Sequence, residues 1–257
     1  MIVIAITQAR MTSSRLPGKI LMEIGGKSLL EIHLGRISKC SKLNDIVLAT
    51  TDLQTDNVTE KLGKDLGYKV FRGSENDVLD RFYQTAISLD KKPDYVVRLT
   101  ADCPLIDSEL VDKIIEYTIA KDLDYCSNCL DPKYPDGQDV EVFKFESLQR
   151  AWEKAKLPSE REHVTPYIWK NSSFKSGNLF KSENYTDYLE DYSHIRMTVD
   201  EDKDFQVVNQ LIRNLGIDST WLEYANFLKR DNYTKSLNSN IVRNVGYEKS
   251  IMKEINE

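Results

Sequence analysis

The chain is predicted to fold as an α/β protein, a Rossmann-like and mostly parallel sheet with helices on both faces. Short apolar runs alternate with segments of helical period through the first half of the sequence. The first run, MIVIAI at residues 1–6, is continuously apolar, as a strand buried on both faces is. A third observation says where chemistry belongs: polar residues cluster directly behind each apolar run, and open sheets of this kind bind ligands outside the carboxyl ends of their strands.

Behind MIVIAI, the segment LLEIHLGRISKC spaces Leu29, Leu30, Ile32, Leu34 and Ile37 mostly at helical intervals. DIVLATT (45–51) is the next strand, followed by the helix NVTEKLGKDLG, whose Gly67 can cap the C-terminus because glycine takes the left-handed conformation without a Cβ clash. YKVFRG is a third strand, DVLDRFYQTAISLD a helix, and DYVVRLTAD a fourth strand. Beyond residue 120 the pattern loosens. QDVEVFKF alternates as a strand, ESLQRAWEKAK is a helix, REHVTPYIWKN reads as one helix with a proline in its first turns, and HIRMTVD (194–200) reads as another strand. DFQVVNQLIRNLG is an amphipathic helix that Gly216 stops. Residues 1–218 are expected to form a single domain and the polar, helix-rich residues 219–257 an appendage, with no low-complexity linker and no internal repeat.

With 257 residues, 40% hydrophobic and 30% charged, the chain can bury one large core. A formal charge of −6, with cations dispersed among more carboxylates, argues against a nucleic-acid partner, which needs a broad basic face. MIVIAI is shorter than a signal-peptide core of roughly 7–15 residues, and no run approaches the roughly 18 apolar residues of a membrane helix. The expectation is a cytoplasmic protein without membrane insertion, its Cys40, Cys103, Cys126 and Cys129 reduced. Cys126 and Cys129 have C-x-x-C spacing, but no second ligand pair completes a zinc site, so they read as incidental thiols.

Any anion site must then be local, and ITQARMTSSRLPGKIL (6–21) has the composition of one. Arg10, Arg15 and Lys19 stand beside Thr12, Ser13 and Ser14 behind the first strand. Small side chains let backbone N–H groups approach phosphate, hydroxyls add donors, and arginines offer bidentate forks. A solvated basic loop has the same composition. A Walker A loop is excluded, since Gly26-Lys27-Ser28 would need a glycine where Leu21 stands, and the dinucleotide pattern G-x-G-x-x-G is absent from the first turn.

QARMTSSRLPGKILMEIGGKSLLE resembles the N-terminal signature A-R-x-x-S-x-R-L-P-x-K of the cytidylyltransferases that activate acidic sugars. FRGSENDVLDRFYQ, VVRLTADCPLID, DVEVF, EREHVTPYI and the late IVRNVGYEKS are more similar to one branch, the SpsF-type family of spore coat polysaccharide biosynthesis. The resemblance implies a nucleotide-diphosphosugar transferase (GT-A-like) architecture. It also implies a cytidylyltransferase in surface polysaccharide or glycoconjugate precursor biosynthesis, in which an acceptor oxygen attacks the α-phosphorus of CTP and pyrophosphate departs. Residues 1–120 would bind CTP and 121–218 a small acidic acceptor. Mg²⁺, with Mn²⁺ as the alternative, and a homodimer are further implications.

Carried onto matching positions, the resemblance assigns Gln8, Ala9, Arg10, Ser13, Ser14, Arg15 and Lys19 to the nucleotide, with Arg15 and Lys19 facing the departing pyrophosphate. Asp102, catalytic, and Asp200 would hold the metal. Read alone, each of these aspartates could instead cap the helix behind it. Thr100 and Ala101 sit beside Asp102, and Arg72, Ser74, Asp77 and Arg81 resemble the base-reading loop. Asp77 could equally cap a helix, with Arg81 paired to it or to Glu75. In the second half Asp139 and Glu141 fall on one face of a strand, and REHVTPY offers Arg161, Glu162, His163 and Thr165 to the acceptor. His163 could be a general base or a structural histidine. Arg196 could bind an acid group of the acceptor. The sugar-acid enzymes carry a Gly-Asp-Glu-Pro type motif where this chain has Ala101-Asp102-Cys103-Pro104, which keeps the candidate ligand and leaves a 3-deoxy sugar acid, a nonulosonic acid or a phosphorylated small molecule as acceptor. Two other readings are a GT-A glycosyltransferase, with Asp200-Glu201-Asp202 imitating its D-x-D metal motif, and a non-catalytic nucleotide-binding protein.

Overall fold

A computed structural model describes residues 1–256. In chain order its strands are β1 (Val3–Gln8), the hairpin β2 (Glu23–Ile24) and β3 (Lys27–Ser28), β4 (Asp45–Thr51), β5 (Lys69–Gly73), β6 (Tyr95–Thr100), β7 (Tyr125–Ser127), β8 (Glu141–Lys144) and β9 (Ser182–Asn184). The main sheet runs β5-β4-β1-β6-β8-β7-β9. The first four of these strands are mutually parallel, β8 is antiparallel to both β6 and β7, and β9 is parallel to β7. The mostly parallel α/β sheet expected from the sequence is therefore present.

The apolar run of β1 makes it central. Val3 and Ala5 enter one hydrophobic layer and Ile4 and Ile6 the other, so both faces need helices over them. One layer is filled by α1 (Leu29–Ile37), α2 (Asn57–Asp65), α4 (Ser108–Ala120), α8 (Asp202–Leu215) and α9 (Trp221–Arg230). The other is filled by α3 (Val78–Ile87), α5 (Phe145–Lys154) and α7 (Pro166–Lys170), the last following the short α6 (Pro158–His163). Helices α10 (Asn232–Ser236) and α11 (Val245–Asn256) complete the chain. From β1 the chain crosses to β4 and β5 on one side and returns to β6 on the other. The carboxyl ends of β1 and β6 therefore flank the switch point, where a crevice opens.

Two expected elements differ. HIRMTVD is not a sheet strand. It lies against loops, bridging Asp136 through Asp136 N–H to the Ile195 carbonyl (2.9 Å) and Met197 N–H to the Asp136 carbonyl (2.7 Å), and reaching Asp102 through Val199 N–H (2.8 Å). Irregular partners give it two anchors instead of a ladder, yet the alternation survives: Ile195, Met197 and Val199 enter the core while Arg196, Thr198 and Asp200 line a cleft. Gly137, at φ 104°, permits this approach, since a Cβ there would lie 2.6 Å from the Thr198 nitrogen. REHVTPYIWKN is two helices rather than one. The break falls at the buried Val164, which takes φ 73° between α6 and α7, a strained conformation for a β-branched residue, and Pro166, which lacks an N–H, opens α7 at its first position.

The last segment divides in its packing. Trp221, Tyr224, Ala225 and Leu228 of α9 join the main core, whereas α11 buries none of its residues and lies on α6. Among the described residues, no helix is long and apolar enough to cross a membrane.

His33 of α1 is fully buried between β1 and the turn after β6. Its Nδ1–H donates to the Cys103 carbonyl (2.9 Å), so Nε2 accepts from the Thr7 hydroxyl (3.2 Å), which defines a neutral ring. Burial pulls its pKa down to about 4. The unfolded chain takes up this proton at about 6.5, so the contribution is complete above that pH and is lost as pH falls from 6.5 to 4. Urea unfolding should show His33→Gln to be less acid-sensitive than the parent across this window, the difference in stability change reaching about 3 kcal/mol.

Candidate active site

The loop Ala9–Gly18 leaves the end of β1 and is held at three points. Ala9 N–H donates to the Ala49 carbonyl (3.1 Å), Met11 N–H to Asp56 Oδ1 (2.8 Å), and Gly18 N–H to the Met11 carbonyl (2.9 Å). Asp56 is fully buried and also takes the Thr51 and Thr59 hydroxyls, so the loop is tied to β4 and α2. Gly18, at φ 73°, closes the loop and turns Lys19 inward.

The Lys19 ammonium is almost fully buried and donates to Asp200 Oδ1 (2.8 Å), Asp102 Oδ2 (3.0 Å) and the Val199 carbonyl (2.7 Å). Burial lowers its pKa, but the two carboxylates outweigh that and hold it above its ordinary value. Burial likewise raises Asp102, and Lys19 with the Thr100 hydroxyl overcomes it, leaving Asp102 at about 2 and ionised. Arg15 joins the same group through Asp200 Oδ2 (2.9 Å) and Glu201 (3.6 Å). Arg10 reaches Glu75 at 3.6 Å.

These groups border two hollows of about 550 and 430 Å³. Both hollows include Gln8, Arg15, Arg98, Thr100, Asp102 and Asp200, so they are lobes of one cleft that meet at the two aspartates. Gln8, Ala9, Arg10, Ser13, Ser14, Arg15, Lys19, Arg81, Thr100 and Ala101 all line the first lobe, joined there by Arg161, Glu162 and His163. Asp139, Glu141, Thr165 and Arg196 line the second.

Three expected base readers lie elsewhere. Arg72 is a clasp on β4 and α2, donating to the Thr51 and Leu53 carbonyls, Asn57 and Glu60. Asp77 caps α3 through Asp80 N–H and receives the Arg161 guanidinium at 2.6 Å, while the Ser74 hydroxyl accepts from Asp77 N–H. None of the three borders the first lobe. Arg81 does, with no ion pair among the described residues. It donates to the Ser74 carbonyl, its buried Nε has no partner among the described residues, and burial with nearby Arg10 pulls it to about 10.

The helix-cap alternatives for Asp102 and Asp200 fall away. Asp107 caps α4, through the N–H groups of Glu109 and Leu110, and Glu201 is the N-cap of α8 with Asp204 reaching back. Asp202 is exposed, bonds Gln206 on its own helix and stays out of the cleft, so Asp200-Glu201-Asp202 presents no D-x-D pair. Asp102 and Asp200 instead offer hard oxygen donors on a shared point. Among the described residues no group of three or more His, Cys, Asp or Glu could hold a metal unaided. The pair fits an ion such as Mg²⁺, which uses one or two carboxylates and takes its remaining oxygens from phosphate and water.

Arg196 is committed to the protein rather than exposed to a ligand. It donates to Asp204 (2.8 and 3.0 Å), Asp200 (2.9 Å) and Asp136, and Asn238 completes Asp204. Glu141 is similarly occupied by Arg98, Tyr125 and Thr165, so it and Thr165 orient Arg98. Arg98 was missed by sequence reasoning although a charge inside YVVRLT signals it; it lines both lobes. Burial lowers its pKa and Glu141 more than restores it. His163 borders both lobes, contacts Ser250 (3.1 Å), and is lowered by burial and then by Arg98.

A cation-lined loop behind the first parallel strand, facing one carboxylate just past β6 and another just ahead of α8 at a switch point, has the arrangement of a nucleotide site. The sequence pattern of the cytidylyltransferase family matches residues 4–238. The chain belongs to that family and is a CTP-dependent nucleotidyltransferase. It is 40% identical to the uncharacterized protein MJ1063 of Methanocaldococcus jannaschii over 93% of this chain and 95% of that one. It is 31% identical to the spore coat polysaccharide biosynthesis protein SpsF of Bacillus subtilis over 83% of this chain and 88% of SpsF. A cytidylyltransferase structure from Leptospira borgpetersenii superposes with a TM-score of 0.85 at 32% identity, covering 94% of this chain and 98% of the other.

Replacing Arg196 by Met leaves Asp136, Asp200 and Asp204 facing one another with their buried partner gone. Urea unfolding should show a loss of about 3–5 kcal/mol, as for other broken buried ion pairs, with Asp204→Asn costing less because Asn238 and Arg196 keep a partner.

Proposed function

We propose that the protein transfers CMP from CTP to a small acidic acceptor, a sugar acid or a phosphorylated small molecule, in the synthesis of a surface polysaccharide precursor. One observation carries the reading: the cationic loop and the Asp102–Asp200 pair stand where the two lobes meet, so a nucleotide in the first lobe and an acceptor in the second would share that junction. The SpsF name supports the pathway class.

In this reading Arg10, Ser13 and Ser14 take the triphosphate. Arg15 and Lys19 exchange part of their carboxylate contacts for phosphate oxygens. An acceptor oxygen forms the new bond to the α-phosphorus as the α–β bridging bond breaks, and the electron pair leaves on pyrophosphate, where these two cations stabilise it. Asp102 and Asp200 would hold Mg²⁺ or Mn²⁺, which supplies charge neutralisation on the phosphates. Arg98, at both lobes and held by Glu141, is oriented to receive the acid group of an acceptor. The homodimer and the cytoplasmic location expected from the sequence belong to the same proposal.

CTP with Mg²⁺ should raise the melting temperature, by the equivalent of about 2.7 kcal/mol at a hundredfold excess over Kd. Equal stabilisation by ATP, GTP and UTP would sink the cytosine preference. Incubating labelled CTP with a panel of acidic sugars and phosphorylated small molecules, with pyrophosphate and CMP adducts measured, identifies the acceptor. Asp102→Asn should lower turnover by about 10²-fold or more while leaving the fold intact; retained turnover removes Asp102 from the site.

A further inference from the structure

The described C-terminal segment borders both lobes of the cleft. Val245 and Gly246 line both, Lys249 lines the first, and Val242, Asn244 and Tyr247 line the second. The segment is anchored at its start by Arg243, which donates to Asp139 and to the Tyr134 carbonyl (3.3 Å). Asn244, at φ 62°, then turns the chain into α11.

The helix docks on α6 through polar and aromatic contacts. Ser250 Oγ meets His163 Nε2 (3.1 Å) and Glu162 (2.7 Å), Glu254 accepts from Ser159 N–H, and the Tyr247 ring packs edge-on to His163 (5.2 Å). None of its residues is buried, and Met252 and Ile255 are exposed. A helix with so little apolar burial is weakly held, and elements that move on binding are drawn from this low-stability class.

Among the described residues its Lys249 has no hydrogen bond or ion pair, unlike the cations of the opposite wall: Arg15 and Lys19 are matched by carboxylates, and Arg10 stands 3.6 Å from Glu75. An ammonium on a loosely held helix, sharing a lobe with the phosphate loop, has a partner to gain when an anion enters.

We propose that residues 242–253 are a substrate-binding strap, in which Lys249 takes a β- or γ-phosphate oxygen of the nucleotide in the first lobe and so fixes Tyr247 and its neighbours as a wall of the acceptor lobe. The strap rests on the nucleotide reading of that lobe. It makes nucleotide binding precede acceptor binding, because the acceptor wall is ordered by the first ligand.

Calorimetry on the full chain with CTP, CMP, UTP, ATP and GTP tests it, comparing the parent with Lys249→Ala and Lys249→Arg. The expected result is a CTP Kd raised about tenfold by Lys249→Ala and largely restored by Lys249→Arg, as a lost charge-assisted contact implies, with CMP changed less than about twofold. Hydrogen exchange across 245–256 should slow on adding CTP to the parent and not to Lys249→Ala. Unchanged CTP affinity in Lys249→Ala, or equal losses for CTP and CMP, overturns the strap and leaves the cytidylyl reading standing. Preference of the parent for another triphosphate, with the Lys249→Ala loss intact, supports the strap and overturns the cytosine preference. Absence of triphosphate binding by the parent overturns both.

Discussion

The ammonium of Lys19 is the joint on which the site depends. It gathers three pieces of chain far apart in sequence, the loop behind β1, the end of β6 and the segment leading into α8, by contacting Asp102, Asp200 and the Val199 carbonyl. Two carboxylates this close would repel one another in a poorly hydrated site, and the cation between them offsets that repulsion. The aperture between the two lobes is thus set by a charge pattern rather than by a rigid ladder of backbone hydrogen bonds.

A second cation, Arg196, supports the same point from behind. Its fork holds Asp204, which in turn accepts from the Asp200 and Glu201 N–H groups, so the orientation of Asp200 is inherited from the start of α8. Arg243 and Asn238 extend the arrangement into the C-terminal residues through Asp139 and Asp204. Buried charges of this kind contribute little net stability but are costly to leave unpaired, which ties the last helices to the geometry of the cleft.

This arrangement also explains how a chain of charge −6 carries a basic loop. The carboxylates that neutralise Arg15 and Lys19 belong to the site itself. Phosphate can compete for the same cations only where it also brings what the carboxylates gain from them, and a metal shared between carboxylates and phosphate would do so. The local balance of charge, not the net charge of the chain, decides what the cleft accepts.

The sequence by itself determined the parallel half of the sheet, the loop between Arg10 and Lys19, and Asp102 at a strand end. Each is local: apolar runs of period two or full burial, a cluster of small and cationic residues, and a carboxylate just past a strand are written within a dozen neighbouring positions. Tertiary structure alone decided which charges face the cleft. Arg72 and Asp77 have the composition of ligand-binding residues but are consumed by Glu60 and Arg161, and HIRMTVD alternates like a strand but meets loops instead of a ladder. Arg98 and Lys249 stand 151 positions apart along the chain yet border one lobe. A charged side chain is defined by its nearest counter-charge, and in a folded chain that neighbour is set by long-range packing that local sequence does not encode.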